Sequence, residues 1–268
     1  MSTPVTPDPW TALRRHTPAR IALGRTGSSL PTSEVLGFAQ AHAQARDAVH
    51  APFEAEATAT AIQALGLETV IVDSAAPDRA SYLRRPDLGR ALSEAGRAAL
   101  AARAPGACDL AIVIADGLSS TAVHAHAAPL VEALLPAVRE SGWRLAPVVI
   151  ARQARVALGD VVGELLGGRL VILLVGERPG LWSPDSLGAY ITFAPKVGRT
   201  DAERNCVSNI RAEGLSYGAA AFKLAWHARE ALRLGLTGVG LKDESDTAAL
   251  QAVTSPRIAP AGSRSPTG

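Results

Sequence analysis

The sequence predicts an α/β domain built on a doubly wound, mostly parallel sheet. Two observations carry this. Five short runs, LETVIVDS (67–74), DLAIVIAD (109–116), LAPVVI (145–150), LVILLVG (170–176) and AYITFA (189–194), are apolar at nearly every position rather than alternating. That pattern suits strands buried on both faces. Helix-like stretches separate most of these runs, the spacing of strand–helix–strand units with right-handed crossovers. With 268 residues, 47% of them hydrophobic, the chain is long enough to build a full core.

In chain order, residues 1–8 are polar and proline-rich and are expected to be disordered. Asp8 then reads as an N-cap with Pro9 at the first helical position, opening a short helix to about His16. GRTGSSLPTSE reads as a loop. Ser33 can cap a helix to about His50, and Ala51 to Leu65 form another that stops at Gly66. Residues 1–65 are thus expected to be a helical N-terminal segment, and 66–240 the α/β body. Within the body the expected helices are Pro86 to Ala102, Ser120 to Ser141, Leu158 to Leu166, and Ser216 to Leu234, the last stopped by Gly235. Residues 241–268, rich in Ser, Thr, Pro and Gly, are expected to form a flexible tail.

Composition excludes several classes. Lys+Arg (27) nearly balance Asp+Glu (25), and aromatic residues are only 4%, so no nucleic-acid surface is demanded. No apolar run reaches the length of a membrane span, and MSTPVTPDPW is not a secretory signal. Cys108 and Cys206 read as two reduced thiols, without the clustered Cys/His spacing of a zinc site. His124 and His126, two apart on a helix, do not share a face, so no metal site is expected.

In an open parallel sheet, ligands bind beyond the carboxyl ends of the strands. Four polar loops are expected to share that rim: Asp116 to Ser120, Ala151 to Val156, Glu177 to Gly180, and PKVGRTDAERNCVSNI (195–210). Each has a bland reading. Asp116, Ser119 and Ser120 can cap a helix, Pro179-Gly180 is ordinary turn chemistry, and Arg152 and Arg155 can be surface charges. The chain has no GxGxxG after a strand, no GxxxxGK[ST] and no GxSxG elbow with a plausible triad. The residues alone therefore give a binding rim without an evident nucleophile or general base.

Five blocks in order are more specific: LRRHTPARIALGRTG (13–27), YLRRPDLGRAL (82–92), IVIADGLSSTAV (112–123), VILLVGERPGL (171–181) and CVSNIRAEG (206–214). Together they closely resemble the small (light) subunit of ethanolamine ammonia-lyase, over roughly residues 9–235. The resemblance implies a Rossmann-like body. It also implies an adenosylcobalamin (coenzyme B12) enzyme in which the cofactor lies between this chain and a large catalytic subunit. That assembly performs the radical conversion of ethanolamine to acetaldehyde and ammonia. The family's cobalamin contacts carry over to Val156 in "ARV", Glu177 in "GERPG" and Cys206 in "CVSNI". No catalytic residue and no metal ligand is implied on this chain, because substrate contacts belong to the large subunit. DxHxxG is absent, so cobalt is expected to keep its own dimethylbenzimidazole base. Some family members carry a longer N-terminal extension linked to packaging. The expected location is a bacterial microcompartment by resemblance, or the cytoplasm given the short N-terminus. Alone, the chain is expected to expose an apolar patch that the large subunit covers.

Overall fold

The computed structural model describes residues 5–17, 19–103 and 106–247. Its strands are β1 (Thr69–Asp73), β2 (Cys108–Ala115), β3 (Val148–Arg152), β4 (Gly168–Gly176), β5 (Leu187–Phe193) and β6 (Arg204–Ile210), in one sheet of order β1-β3-β2-β4-β5-β6. The helices are α1 (Thr32–His50), α2 (Ala55–Gln63), α3 (Arg79–Arg84), α4 (Glu94–Ala101), α5 (Ser120–Glu140), α6 (Leu158–Leu165) and α7 (Tyr217–Leu234).

The domain is α/β as expected, but the expected doubly wound, mostly parallel sheet holds only in part, because the six-stranded sheet is mixed. β1, β3, β2 and β4 pair in parallel, and β2, β3 and β4 are buried on both faces as parallel strands commonly are. β5 runs antiparallel to β4, and β6 antiparallel to β5. The reason is the length of the link. Residues 177–186 join β4 to β5 without a helix, too short for the crossover that a parallel neighbour needs. One consequence corrects the four-loop rim. Phe193 pairs with Leu170 at the start of β4, so the segment from 194 to 203 lies at the opposite edge of the sheet. Only the end of β6 returns to the rim.

Helices cover both faces. α2, α5 and α7 pack on one face around Leu110, Ile112, Ile150, Ile172 and Leu224. α4 and α6 cover the other around Val113, Val149, Leu158, Val162 and Leu173. Burying one such side chain is worth roughly 1.5–3 kcal/mol, so these two layers hold the strand exits in place.

Local chemistry sets the helix ends. Asp78 caps α3 by accepting from the Ser81 N–H at 2.7 Å, and Ser93 caps α4 from Gly96 at 3.0 Å. That Ser93 cap breaks the helix expected over 86–102, and Leu88–Arg90 form a 3-10 turn instead. Ser119 and Ser216 cap α5 and α7, and Gly235 ends α7 with φ 72°. Ser33 does not cap α1, which starts one residue earlier behind Pro31. The segment Thr11–His16 is a 3-10 helix, with Asp8 accepting from the Trp10 N–H at 2.8 Å.

α1 buries only Ala41 and Ala48, and leaves Val35, Leu36 and Phe38 exposed; Trp10 and Leu13 of the preceding segment are exposed as well. Thr6 pairs with Arg25, whereas residues 1–4 of the expected disordered start lie outside the described residues. So do residues 248–268 of the expected tail. Before them, Lys223 holds Asp243, Ser245 and Asp246. Among the described residues, no helix is long and apolar enough to cross a membrane.

Candidate functional site

Three strand exits are tied together at the carboxyl edge of β2, β3 and β4. Asp116, just after β2, is 1% exposed. Its Oδ1 accepts the Ala154 N–H at 3.0 Å, and its Oδ2 accepts Arg79 Nη1 at 3.0 Å. Asp116 is therefore a link between loops, whereas Ser119 is the helix cap. Burial pushes the Asp116 carboxyl up to about 6, against the backbone hydrogen bond from Ala154 and the Arg79 charge. The β2 and β4 exits touch directly. A Cβ on Gly176 would lie 2.0 Å from the Ser119 carbonyl oxygen, so no side chain fits there.

Tyr82 forms the floor between α3 and the β3 loop. The Arg79 and Arg155 guanidiniums stack on its ring, 4.8 and 4.6 Å from the centroid. The Tyr82 hydroxyl donates to the Ala154 carbonyl at 3.3 Å. Burial pushes its titration up to about 12, so it stays a neutral phenol.

Glu177 follows Gly176 directly. Its Oε2 accepts from the Ser186 hydroxyl and from the Asn209 N–H at 3.2 Å. Its other oxygen lies over Gly188, where a Cβ would come within 2.9 Å of Oε1. Oε1 has no hydrogen-bond partner among the described residues. The turn thus presents a fixed carboxylate with one oxygen held and one open.

Val156 sits in the turn entering α6, half-buried. It and Glu177 line one cavity of about 400 Å3 with Tyr82, Leu118, Arg155 and Tyr190. Arg155, Val156 and Tyr190 also line a second cavity of about 590 Å3, between α6 and the β5–β6 ladder. The two cavities adjoin, sharing Arg155, Val156 and Tyr190 as common wall residues of one groove region. Cys206 pairs directly with Tyr190 across that ladder. Cys206 is exposed at the sheet edge, yet local desolvation of its sulfur beside Tyr190 pushes the thiol up, with Tyr190 hydrogen bonding opposing it and the Glu177 charge adding to it. Burial likewise pushes Tyr190 up to about 12. Neither group is a ready nucleophile at neutral pH.

The sequence-predicted Val156, Glu177 and Cys206 therefore converge on Tyr190. Sequence reasoning missed Tyr82, Tyr190 and the loop-tying role of Asp116. Tyr82 was visible only as part of the YLRRPDLGRAL block, and Tyr190 only as a polar tip in an apolar strand. Segment 195–203 was expected on the rim. It enters the groove instead from the far edge, through Val197 to Asp201.

The groove can bind and orient but holds no reactive constellation. It offers an acceptor at Glu177, donors at Arg155 and Arg178, and apolar surface at Val156, Leu118 and Val175. Those groups suit a ligand that combines hydrogen-bonding groups with apolar surface.

Comparison with known proteins adds an independent finding. The family model described as ethanolamine ammonia-lyase light chain (EutC) matches residues 7–242. A protein of Pseudomonas putida KT2440 named ethanolamine ammonia-lyase small subunit is 56% identical over 252 residues, 93% of each chain. Its namesake in Ralstonia nicotianae is 56% identical over 251 residues, 92% of this chain and 93% of the relative. The one in Azotobacter vinelandii is 56% identical over 250 residues, again 92% and 93%.

Proposed function

The chain belongs to the ethanolamine ammonia-lyase light-chain family, and on that premise we propose that its groove is the small subunit's share of an adenosylcobalamin site completed by the large subunit. The observation that supports this most is that Val156 and Glu177 line one cavity with Tyr190, whose partner across the β5–β6 ladder is Cys206.

The donor set fits the group. Cobalamin carries amide side chains around its corrin, and the open Glu177 Oε1 can accept from an amide N–H or a ribose hydroxyl. Val156, Val175 and Leu118 give apolar contact, and Cys206 packs beside Tyr190 as a small, neutral thiol. When bound, the cofactor supplies the radical chemistry that turns ethanolamine into acetaldehyde and ammonia. This chain's part is to bind, to orient and to exclude water. Its Glu177 is pre-set by Ser186 and Asn209, so little ordering cost falls on binding. Substrate contacts lie on the large subunit in this reading, and this chain supplies none.

The exposed apolar residues of the N-terminal segment fit burial against that subunit. Leu36 is 64% and Trp10 67% exposed, far from what an isolated small domain needs to leave in water.

The deciding experiment is co-purification with the large subunit, followed by ethanolamine deamination with and without adenosylcobalamin. Aldehyde release that requires both chains and the cofactor supports the reading. Full activity from the large subunit alone overturns it.

A further inference from the structure

The larger cavity, about 590 Å3, has a charge pattern that Glu177, Val156 and Cys206 do not explain. Arg90, Arg155, Arg199 and Arg204 line it, with Asp160 and Asp201. Two of these arginines already have carboxylate partners. Arg204 is buried and pairs with Asp160 and Asp201, and Arg199 pairs with Glu203. Arg90 and Arg155 have no carboxylate within ion-pair distance among the described residues. Two buried guanidinium N–H groups on the cavity's own wall residues also lack hydrogen-bond partners, Arg155 Nε and Arg204 Nε, whereas the unpartnered carboxylate oxygen Asp160 Oδ1 needs a donor instead. Buried guanidinium N–H groups without acceptors are costly, and an anion in the cavity supplies what they lack.

Geometry prepares Arg155 for this task. Its guanidinium lies 4.6 Å from the Tyr82 ring centroid, and its Nη2 donates to the Tyr82 carbonyl at 3.1 Å. Stacking fixes the plane, and a fixed planar guanidinium presents its remaining N–H groups in a fork that matches phosphate oxygens. Arg90 reaches the same space from the 3-10 turn Leu88–Arg90. That turn is docked against the β3 loop by the Arg155 N–H to Gly89 carbonyl bond at 2.8 Å.

We propose that this cavity is a phosphate-ester subsite, with Arg90 and Arg155 as its recognition residues. The inference rests on the cobalamin reading and deepens it, because cobalamin carries one phosphodiester in its nucleotide loop, and the cavity adjoins the Glu177 pocket through Arg155, Val156 and Tyr190. A free phosphate ester presents the same chemistry, so the test separates the two sources.

The complex of this chain with its large subunit is dialysed to equilibrium against cyanocobalamin, against dicyanocobinamide, which has the corrin but no phosphate or nucleotide, and against labelled pyrophosphate. Wild type is compared with Arg90→Gln, whose side chain is exposed and carries no fold contact, and with Arg155→Lys, which keeps the charge but loses the fork. Expected for a cofactor phosphate is a loss of cyanocobalamin affinity of roughly ten-fold to hundred-fold in Arg90→Gln, with cobinamide affinity unchanged. If cyanocobalamin is unaffected while pyrophosphate binds wild type and is weakened in both variants, the subsite stands and its ligand is a free phosphate ester. An equal loss for cyanocobalamin and cobinamide, or no change with any of the three, overturns the subsite. Failure of the wild-type complex to bind either corrinoid overturns the cobalamin reading instead, and the pyrophosphate arm then decides the subsite by itself.

Discussion

Glu177 Oε2 accepts the Asn209 backbone N–H at 3.2 Å, and Asn209 holds a left-handed φ of 58° where it does so. A carboxylate at the end of β4 and a strained residue at the end of β6 are thus held in one geometry. Asn tolerates this region better than most residues, and a β-branched residue does not. The rim is set by contacts across the sheet, so altering either partner should change ligand binding more than folding.

Glu177→Ala in the assembled complex is expected to weaken cobalamin binding. It removes the open Oε1 acceptor, and a cofactor donor buried against it would lose its partner, a cost of about 1–3 kcal/mol, or roughly five-fold to more than a hundred-fold in Kd. Absorbance titration with hydroxocobalamin reads the change. An unaltered affinity would remove Glu177 from the site.

Gly176→Ala tests the direct contact of the β2 and β4 exits. Its Cβ would lie 2.0 Å from the Ser119 carbonyl and 2.6 Å from that of Asp116, both backbone atoms that cannot swing aside. The expected loss is at least the 1–3 kcal/mol typical of overpacking. Urea unfolding of the purified chain measures it, and a wild-type midpoint would contradict the contact.

The buried Asp116 makes stability depend on pH in a defined direction. Its folded carboxyl titrates at about 6, above the ordinary 3.8, so the folded state holds the proton more tightly than the unfolded chain. Its contribution is then greatest below about 4 and declines as pH rises toward 6. Asp116→Asn carries no such titration. Between pH 4 and 6 the wild-type urea midpoint should fall more steeply with pH than that of Asp116→Asn. Parallel slopes would show that Asp116 does not titrate there.

The parallel strands were legible because burial on both faces leaves little room for polar residues, as in LVILLVG. β6 was not, since it is an edge strand with Cys206, Ser208 and Asn209 exposed, and RNCVSNI reads as a polar loop. The antiparallel turn at β5 hid in the length of the 177–186 link rather than in any composition. Glu177 stood out through the resemblance of its GERPG block, whereas its orientation depends on Ser186 and Asn209, residues that local sequence does not connect to it. Tyr190 becomes a groove wall only once β5 has reversed direction, so no local pattern announces it.

The N-terminal face offers the last prediction. Val35, Leu36 and Phe38 are exposed within a helix that buries only two alanines, so these apolar residues contribute little to the chain's own core. Surface substitutions away from packed contacts change stability by within about 0.5 kcal/mol. Leu36→Glu should therefore leave the melting temperature of the chain nearly unchanged. In an apolar interface the same carboxylate would be desolvated without a partner, and association with the large subunit should weaken by roughly ten-fold or more. Analytical ultracentrifugation of the mixed subunits against the variant's own melting curve separates the two effects. A variant that melts normally and still co-sediments with wild-type affinity would move the subunit interface elsewhere on this chain.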